Sequence, residues 1–129
     1  MPHNRAVDAP DRLFVYGTLM PGHGLWPALA PFAARWEPAV VPGRLWDTGR
    51  GYPAVRFAAA AGTVPGVLVH LVADRAEEAV EVLDEIEEEG TLYRRVTVVT
   101  SGGPAIAYEW LGPVDGLQPL PGGWPPPAG

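Results

Sequence analysis

The stretch Arg12-Leu-Phe-Val-Tyr-Gly-Thr-Leu19 decides the fold, because it joins a buried strand to a shaped loop. Four consecutive apolar or aromatic residues, from Leu13 to Tyr16, are typical of a β-strand covered on both faces. Gly17 then lets the backbone turn, and residues 18–24 add a proline and two more glycines. Such a loop exposes backbone N–H groups that can hold a carboxylate or a developing oxyanion. The alternative interpretation is an ordinary first core strand followed by a turn.

The composition indicates one acidic domain and excludes several kinds of chemistry. The 129 residues suffice for a single buried core. A net charge of -6 and a pI of about 4.9 argue against nucleic acid or an anionic membrane as partner. All nine basic residues are arginine and cysteine is absent, which excludes lysine Schiff bases, thiolate nucleophiles and zinc–thiolate sites. The three scattered histidines predict no metal site. Without a signal-peptide pattern or an apolar membrane segment, we expect a cytoplasmic protein.

Strand patterns dominate the rest of the chain and predict an α+β fold. We expect a small mixed β-barrel with flanking helices. Residues 1–11 are predicted to form a flexible arm, residues 12–111 the domain, and residues 112–129 a Pro/Gly-rich tail that packs on it. Six strands are predicted: 13–16, 39–46 (with a break at Pro42-Gly43), a short strand within 51–57, and then 67–72, 93–100 and 105–111. Two helices are predicted, a short one within 25–36 and a longer one over 74–88.

The helix over 74–88 carries the most informative charge pattern. Asp74 and Glu77 predict a capping box at its start. Glu87 falls near the middle of the apolar face, whereas the other acids fall outside it. If the helix has frayed by this point, Glu87 belongs to a solvated acidic run. If the helix persists, Glu87 is a desolvated carboxyl with a raised pKa, suited to act as a general base. The apolar face consists of Ala76, Ala79, Val80, Leu83 and Ile86.

Four motifs in order resemble the γ-glutamylcyclotransferase superfamily. Tyr16-Gly-Thr-Leu19 follows a buried strand, and Gly51-Tyr-Pro-Ala54 comes next. Leu83-Asp-Glu-Ile-Glu87 is followed six residues later by Tyr93-Arg-Arg95. Near the C-terminus, Pro121-Gly-Gly-Trp124 is similar to a glycine–tryptophan signature of some members.

The resemblance implies a small barrel with a cavity at its mouth, and a cofactor-independent enzyme without a metal. Its partner would be a small γ-glutamyl amine or amide, which it converts to 5-oxoproline and a free amine. Tyr16, Gly17, Thr18 and Leu19 would hold the α-amino-acid end of the substrate, with Glu87 as the catalytic acid/base. The family glutamate is often followed directly by glycine, whereas here Glu88 and Glu89 precede Gly90.

Other side chains are weaker candidates for the same site. Tyr93 and Tyr108 have hydroxyls that could reach the cavity, and Tyr52 is expected to shape its rim. His23 lies in the glycine-rich loop, and Trp124 is a candidate anchor for the tail.

Two non-enzymatic alternatives remain at this point. A binding module without turnover would leave Glu87 exposed, or fill the cavity with Trp26, Trp46 or the tail. An assembly protein would use the tail over residues 112–129 as an interaction segment.

Overall fold

The β-strands form two sheets. The structure is a computed structural model, and it describes residues 11–58 and 62–126. The α+β class predicted from the sequence is confirmed. The strands are β1 (Arg12–Val15), β2 (Ala33–Pro42), β3 (Arg44–Asp47), β4 (Pro53–Arg56), β5 (Thr63–Leu71), β6 (Tyr93–Thr100), β7 (Gly103–Trp110) and β8 (Gln118–Pro119). The helices are α1 (Trp26–Leu29) and α2 (Ala76–Ile86). A short 3₁₀ turn, Ala30–Phe32, follows α1, and another, Ala73–Arg75, precedes α2. In the described ranges, no helix is long and apolar enough to cross a membrane.

The strand β1 is the middle strand of the larger sheet, whose order is β2-β5-β1-β7-β6. It pairs antiparallel with β5 and parallel with β7. Leu13 and Val15 belong to one buried cluster, whereas Phe14 and Tyr16 belong to a second one. The strand is therefore covered on both faces, as its apolar run predicts. The smaller sheet has the order β4-β3-β8.

The larger sheet is curled but not closed, so the predicted barrel is only loosely correct. Its two edge strands, β2 and β6, approach each other at one corner. There, the Ser101 N–H donates to the Val40 carbonyl oxygen at 3.0 Å. The Val40 N–H in turn donates to Ser101 Oγ at 3.1 Å. The remaining strands, β3, β4 and β8, form the separate smaller sheet instead of completing a barrel.

The break predicted at Pro42-Gly43 separates the two sheets. It divides the predicted strand over 39–46 into β2 and β3, which lie in different sheets. A side chain at Gly43 would place its Cβ 2.6 Å from the Arg56 carbonyl oxygen, so only glycine fits there.

The start of the helix differs from the sequence prediction, and the capping box is wrong. The chain enters α2 through the 3₁₀ turn, and Asp74 lies inside that turn rather than at the N-cap position of the helix. Arg75 is the N-cap residue and makes no capping hydrogen bond with its side chain. Its guanidinium instead donates to both carboxylate oxygens of Glu78, each at 3.2 Å.

The short predicted helix over 25–36 is also shorter in the structure. Its helical part is α1 with the 3₁₀ turn after it, and β2 already begins at Ala33. In the tail, β8 pairs with β3, Leu120 is buried, and Trp124 packs half-buried against the second core cluster. The domain limits stay a prediction, and the N-terminal arm, apart from Asp11, lies outside the described residues.

Candidate active site

A pocket of about 490 Å³ opens at the end of β1. Residues 14–19 and 24–25 form one side of its lining, together with residues 51–53. The end of α2 contributes residues 86–88, and residues 92–93 and 108 complete the wall. The pocket therefore brings together every site residue predicted from the sequence: Tyr16, Gly17, Thr18, Leu19, Tyr52, Glu87, Tyr93 and Tyr108.

In the loop after β1, the backbone carbonyl groups are used in hydrogen bonds within the loop, whereas three backbone N–H groups are not. The Gly17 carbonyl accepts from the Met20 N–H at 3.0 Å, and the Thr18 carbonyl accepts from the Leu25 N–H at 2.8 Å. No hydrogen bond from the N–H groups of Gly17, Thr18 or Leu19 is found within the described chain. These three donors are available to an anionic group in the pocket.

Close packing fixes the path of this loop. A Cβ at Gly17 would lie 2.7 Å from both Cγ and Cδ of Pro53. Glycine thus lets the loop pack directly on the neighbouring segment that contains Tyr52 and Pro53.

Three tyrosines of the pocket wall donate their only proton to acceptors of the protein. Tyr16 Oη donates to the Tyr108 carbonyl oxygen at 2.5 Å, and Tyr93 Oη donates to the Pro53 carbonyl oxygen at 2.6 Å. Tyr108 Oη donates to Asp84 Oδ1 at 2.6 Å. Burial raises the pKa of each phenol well above its usual value, so all three stay neutral. Each hydroxyl can then only accept a hydrogen bond from a ligand.

Glu87 caps the C-terminus of α2 and still follows the helical path. Its N–H donates to the Leu83 carbonyl at 2.8 Å, which keeps the side chain on the apolar face. The side chain is partly buried and lines the pocket. Burial raises the pKa of Glu87 from 4.5 to about 7. Of the two interpretations of Glu87, a frayed solvated acid or a desolvated carboxyl, the geometry matches the second.

The Glu87 carboxylate has no hydrogen bond or ion pair to any other described residue. Its charge nevertheless contributes to the raised pKa of Tyr16, Tyr93 and Tyr108. It is therefore an unpaired carboxyl among neutral phenols, a setting in which its proton is exchanged near neutral pH.

Sequence reasoning missed Asp84, which does not line the pocket but contacts the lining residue Tyr108. The helical pattern placed it outside the apolar face, yet it accepts the Tyr108 hydrogen bond and pairs with Arg95. Its spacing of three residues from Glu87 was the available signal, because residues i and i+3 of a helix are neighbours. Arg94 alternates to the other face of β6 and pairs with Glu109 at 3.0 Å.

Several other candidates lie away from the pocket lining. His23 is adjacent to the lining residue Gly24 but is not part of the lining, and Trp124 is absent from it as well. Neither Trp26 nor Trp46 fills the pocket. Across residues 11–58 and 62–126, no group of histidine, cysteine or acidic side chains is arranged to hold a metal ion.

Comparison with known families shows which family the chain belongs to. The sequence model of the family "Gamma-glutamyl cyclotransferase, AIG2-like" matches residues 13–125, and the chain belongs to this family. The resemblance inferred from the four sequence motifs is thereby confirmed. A comparison with curated proteins finds no match.

Several solved structures share the fold. An uncharacterized protein, PH0828 from Pyrococcus horikoshii, is 26% identical with a TM-score of 0.65, and the match covers 84% of each chain. The protein YtfP from Escherichia coli is 26% identical with a TM-score of 0.58, covering 84% of this chain and 90% of that one. An AIG2-like protein from Mus musculus reaches a TM-score of 0.72 over 86% of each chain, and at 17% identity it shows the fold alone.

Proposed function

We propose that this protein is a γ-glutamyl cyclotransferase that releases 5-oxoproline and a free amine from a small γ-glutamyl amine or amide. The family description supports the reaction class. The observation that carries the proposal for this chain is the unpaired Glu87 carboxyl, whose pKa burial raises to about 7 inside the pocket. A carboxyl with that pKa both accepts and returns a proton near neutral pH.

The distribution of donors and acceptors supports one orientation of the substrate. The α-carboxylate faces the free N–H groups of Gly17, Thr18 and Leu19, where the backbone offers donors. The α-ammonium faces Glu87 and the tyrosine oxygens, which offer only acceptors. The two ends of the amino-acid group are thus recognised by opposite polarity. Held in this way, the amine nitrogen approaches the γ-carbonyl carbon of the same molecule.

The reaction is an intramolecular acyl transfer. Glu87 takes a proton from the α-ammonium, and the neutral nitrogen attacks the γ-carbonyl carbon to close a five-membered ring. The carbonyl oxygen gains negative charge, which a backbone N–H of the loop can stabilise. Glu87 returns its proton to the leaving nitrogen, and the bond between that nitrogen and the γ-carbon breaks. The ring nitrogen gives up its second proton to the Glu87 carboxylate, which leaves the neutral lactam, and this proton then passes to water or to the released amine. Ring closure needs no external nucleophile, so holding the substrate folded supplies much of the rate acceleration.

The pocket argues against the non-catalytic alternative. That hypothesis expects Glu87 in solvent or a cavity occupied by Trp26, Trp46 or the tail, and the pocket lining contains none of these three. The use of the tail as an interaction segment stays a separate hypothesis, tested by deleting residues 112–129.

The direct test is release of 5-oxoproline, measured by mass spectrometry, from a panel of γ-glutamyl amines and amides. We expect the wild type to release it and Glu87→Gln to lose about 10²–10⁴-fold in kcat/KM, the usual contribution of a general acid/base. Glutamine keeps the size of the side chain but cannot take up or release a proton near neutral pH.

Glu85→Gln is the matched control, because Glu85 is an exposed acid on the same helix that does not line the pocket. Its activity should equal that of the wild type. A fully active Glu87→Gln variant would remove Glu87 from the mechanism. A folded wild type that binds panel members without releasing 5-oxoproline would establish the binding module instead.

A further inference from the structure

The charged side chains in the pocket lining are all of one sign. Among the described residues that line it, the acidic side chains are Glu87 and Glu88, and no arginine or histidine takes part. Arg50 and His23 each stand next in sequence to a lining residue but are not lining residues themselves. The donors that an anion finds here are neutral, and the proposed substrate uses the three backbone N–H groups of the loop for its α-carboxylate and for the oxyanion.

The exposure of the lining residues separates an inner end from a mouth. Tyr16, Tyr93 and Tyr108 are buried, and they surround the inner part near Glu87. Leu25 and Glu88 are exposed, so they lie where the pocket opens to solvent. With the amino-acid end of the substrate held inside, the leaving amine extends toward this mouth.

Glu88 occupies a backbone position that is usually taken by glycine. Its N–H donates to the Glu85 carbonyl at 3.3 Å, and the Glu89 N–H donates to the Asp84 carbonyl at 2.9 Å. This pair of bonds is the Schellman arrangement that ends many helices, with its left-handed residue here at φ 52°. Glu88 is the one non-glycine residue with positive φ in the described ranges. The helix end thus fixes the backbone that carries this carboxylate.

The Glu88 carboxylate has no partner, unlike several acids around it. Asp84 pairs with Arg95, and Glu89 Oε2 accepts from the Arg95 N–H at 3.2 Å. Glu109 pairs with Arg94. No hydrogen bond or ion pair to the Glu88 side chain is found in the part of the chain that the structure describes.

We propose that the leaving amine of the substrate carries a second, positively charged group, and that Glu88 at the pocket mouth selects it. This inference rests on the proposed function and names its substrate class: γ-glutamyl derivatives of diamines, rather than γ-glutamyl amino acids whose leaving group bears a carboxylate. An anionic leaving group would meet the Glu88 carboxylate and no cationic side chain in the lining. A cationic group meets an unpaired carboxylate at the mouth and the negative field of the whole protein.

The test uses three γ-glutamyl amides of one shape that differ in charge. Each leaving amine is a linear four-carbon chain that ends in an ammonium, a methyl or a carboxylate group. For the wild type, we expect kcat/KM for 5-oxoproline release to be highest for the ammonium compound, and at least tenfold lower for the carboxylate compound. The preference should shrink as salt is added, because the mouth is open to solvent.

Glu88→Gln separates the role of this charge from that of the pocket shape. We expect it to lower the ratio of kcat/KM between the ammonium and methyl compounds about threefold to fivefold, the size of one solvent-exposed ion pair. Glu85→Gln, which removes an equal charge outside the pocket, should leave that ratio unchanged. Equal ratios in the wild type and in Glu88→Gln would overturn the role of Glu88. Equal turnover of the three compounds by the wild type would overturn the substrate class.

Failure of the proposed function gives a different result. If the wild type releases 5-oxoproline from none of the three compounds, the proposed reaction is wrong, and calorimetric binding of the same compounds decides the charge preference. Tighter binding of the ammonium compound, weakened in Glu88→Gln, supports the selection by charge. Equal binding of all three overturns it.

Discussion

Glu87 shows how one position gives a carboxyl a property that its neighbours lack. Residues 85–89 include four glutamates, and the chemical identity of the side chain does not distinguish them. Among these four, Glu87 alone lies on the apolar face of α2 and is partly buried, and this burial raises its pKa. The helical periodicity identified it from the sequence because residue 87 lies four positions after Leu83. The absence of a partner for its carboxylate depends on distant segments and could not be predicted.

Glu88 differs from Glu87 in its backbone, because it adopts a strained left-handed conformation at φ 52°. We expect Glu88→Gly to raise the free energy of unfolding by about 0.5–1 kcal/mol relative to Glu88→Ala, because glycine adopts this conformation without a Cβ clash. Both variants remove the same charge from the negative end of the helix dipole, so their difference isolates the backbone effect. Urea denaturation of the two variants measures it.

Equal stability of Glu88→Gly and Glu88→Ala would show that the left-handed conformation costs nothing at this position. The proposed role of Glu88 predicts that the more stable glycine variant also loses the preference for a cationic leaving group. A strained residue at a pocket mouth is the pattern expected where function is retained at the expense of stability.

At the scale of elements, the local pattern of the sequence predicted α2 and β6 well. It failed where pairing with a distant strand determines the secondary structure. The predicted strand over 93–100 has the same bounds as β6. Residues 33–36, predicted as helix, are the start of β2 because they pair with the end of β5, with Ala33 opposite Leu71. Tertiary pairing overrides helix propensity in such a case.

The pairing of β1 with β5 depends on a glycine that the sequence pattern did not single out. A Cβ at Gly66 would lie 2.3 Å from the Val15 carbonyl oxygen and 2.7 Å from Phe14 Cζ. We expect Gly66→Ala to lower the free energy of unfolding by about 2–3 kcal/mol, as overpacking in a buried core does. Chemical denaturation monitored by tryptophan fluorescence measures the change.

Gly122→Ala provides the comparison, since a Cβ there meets no atom within 4 Å and the residue has no positive φ. Its effect should stay within about 0.5 kcal/mol. If the two variants were equally stable, the close contact between β5 and β1 would not be a constraint on the fold.

At the scale of the whole molecule, the pocket results from strand order rather than from any one motif. The parallel pairing of Leu13 with Ile106 places β7, which carries Tyr108, beside β1. The antiparallel pairing of β6 with β7 then brings Tyr93 close to the same opening. Periodicity does not reveal which strands pair, so the α+β class was predictable and the open curl of the sheet was not. The resemblance to a known family supplied the site residues that periodicity alone could not.

The raised pKa of Glu87 is likewise a property of the whole pocket, since burial by several elements causes it. The most direct test of the account is the pH dependence of kcat/KM for 5-oxoproline release. The base must be ionised in the free enzyme, so activity should fall about tenfold per pH unit below the pKa of Glu87 and level off above it. We expect that limb at an apparent pKa of about 7, unchanged in the Glu85→Gln control. A limb at the ordinary glutamate value of 4.5, or a rate independent of pH across this range, would contradict the assignment of Glu87 as the buried acid/base.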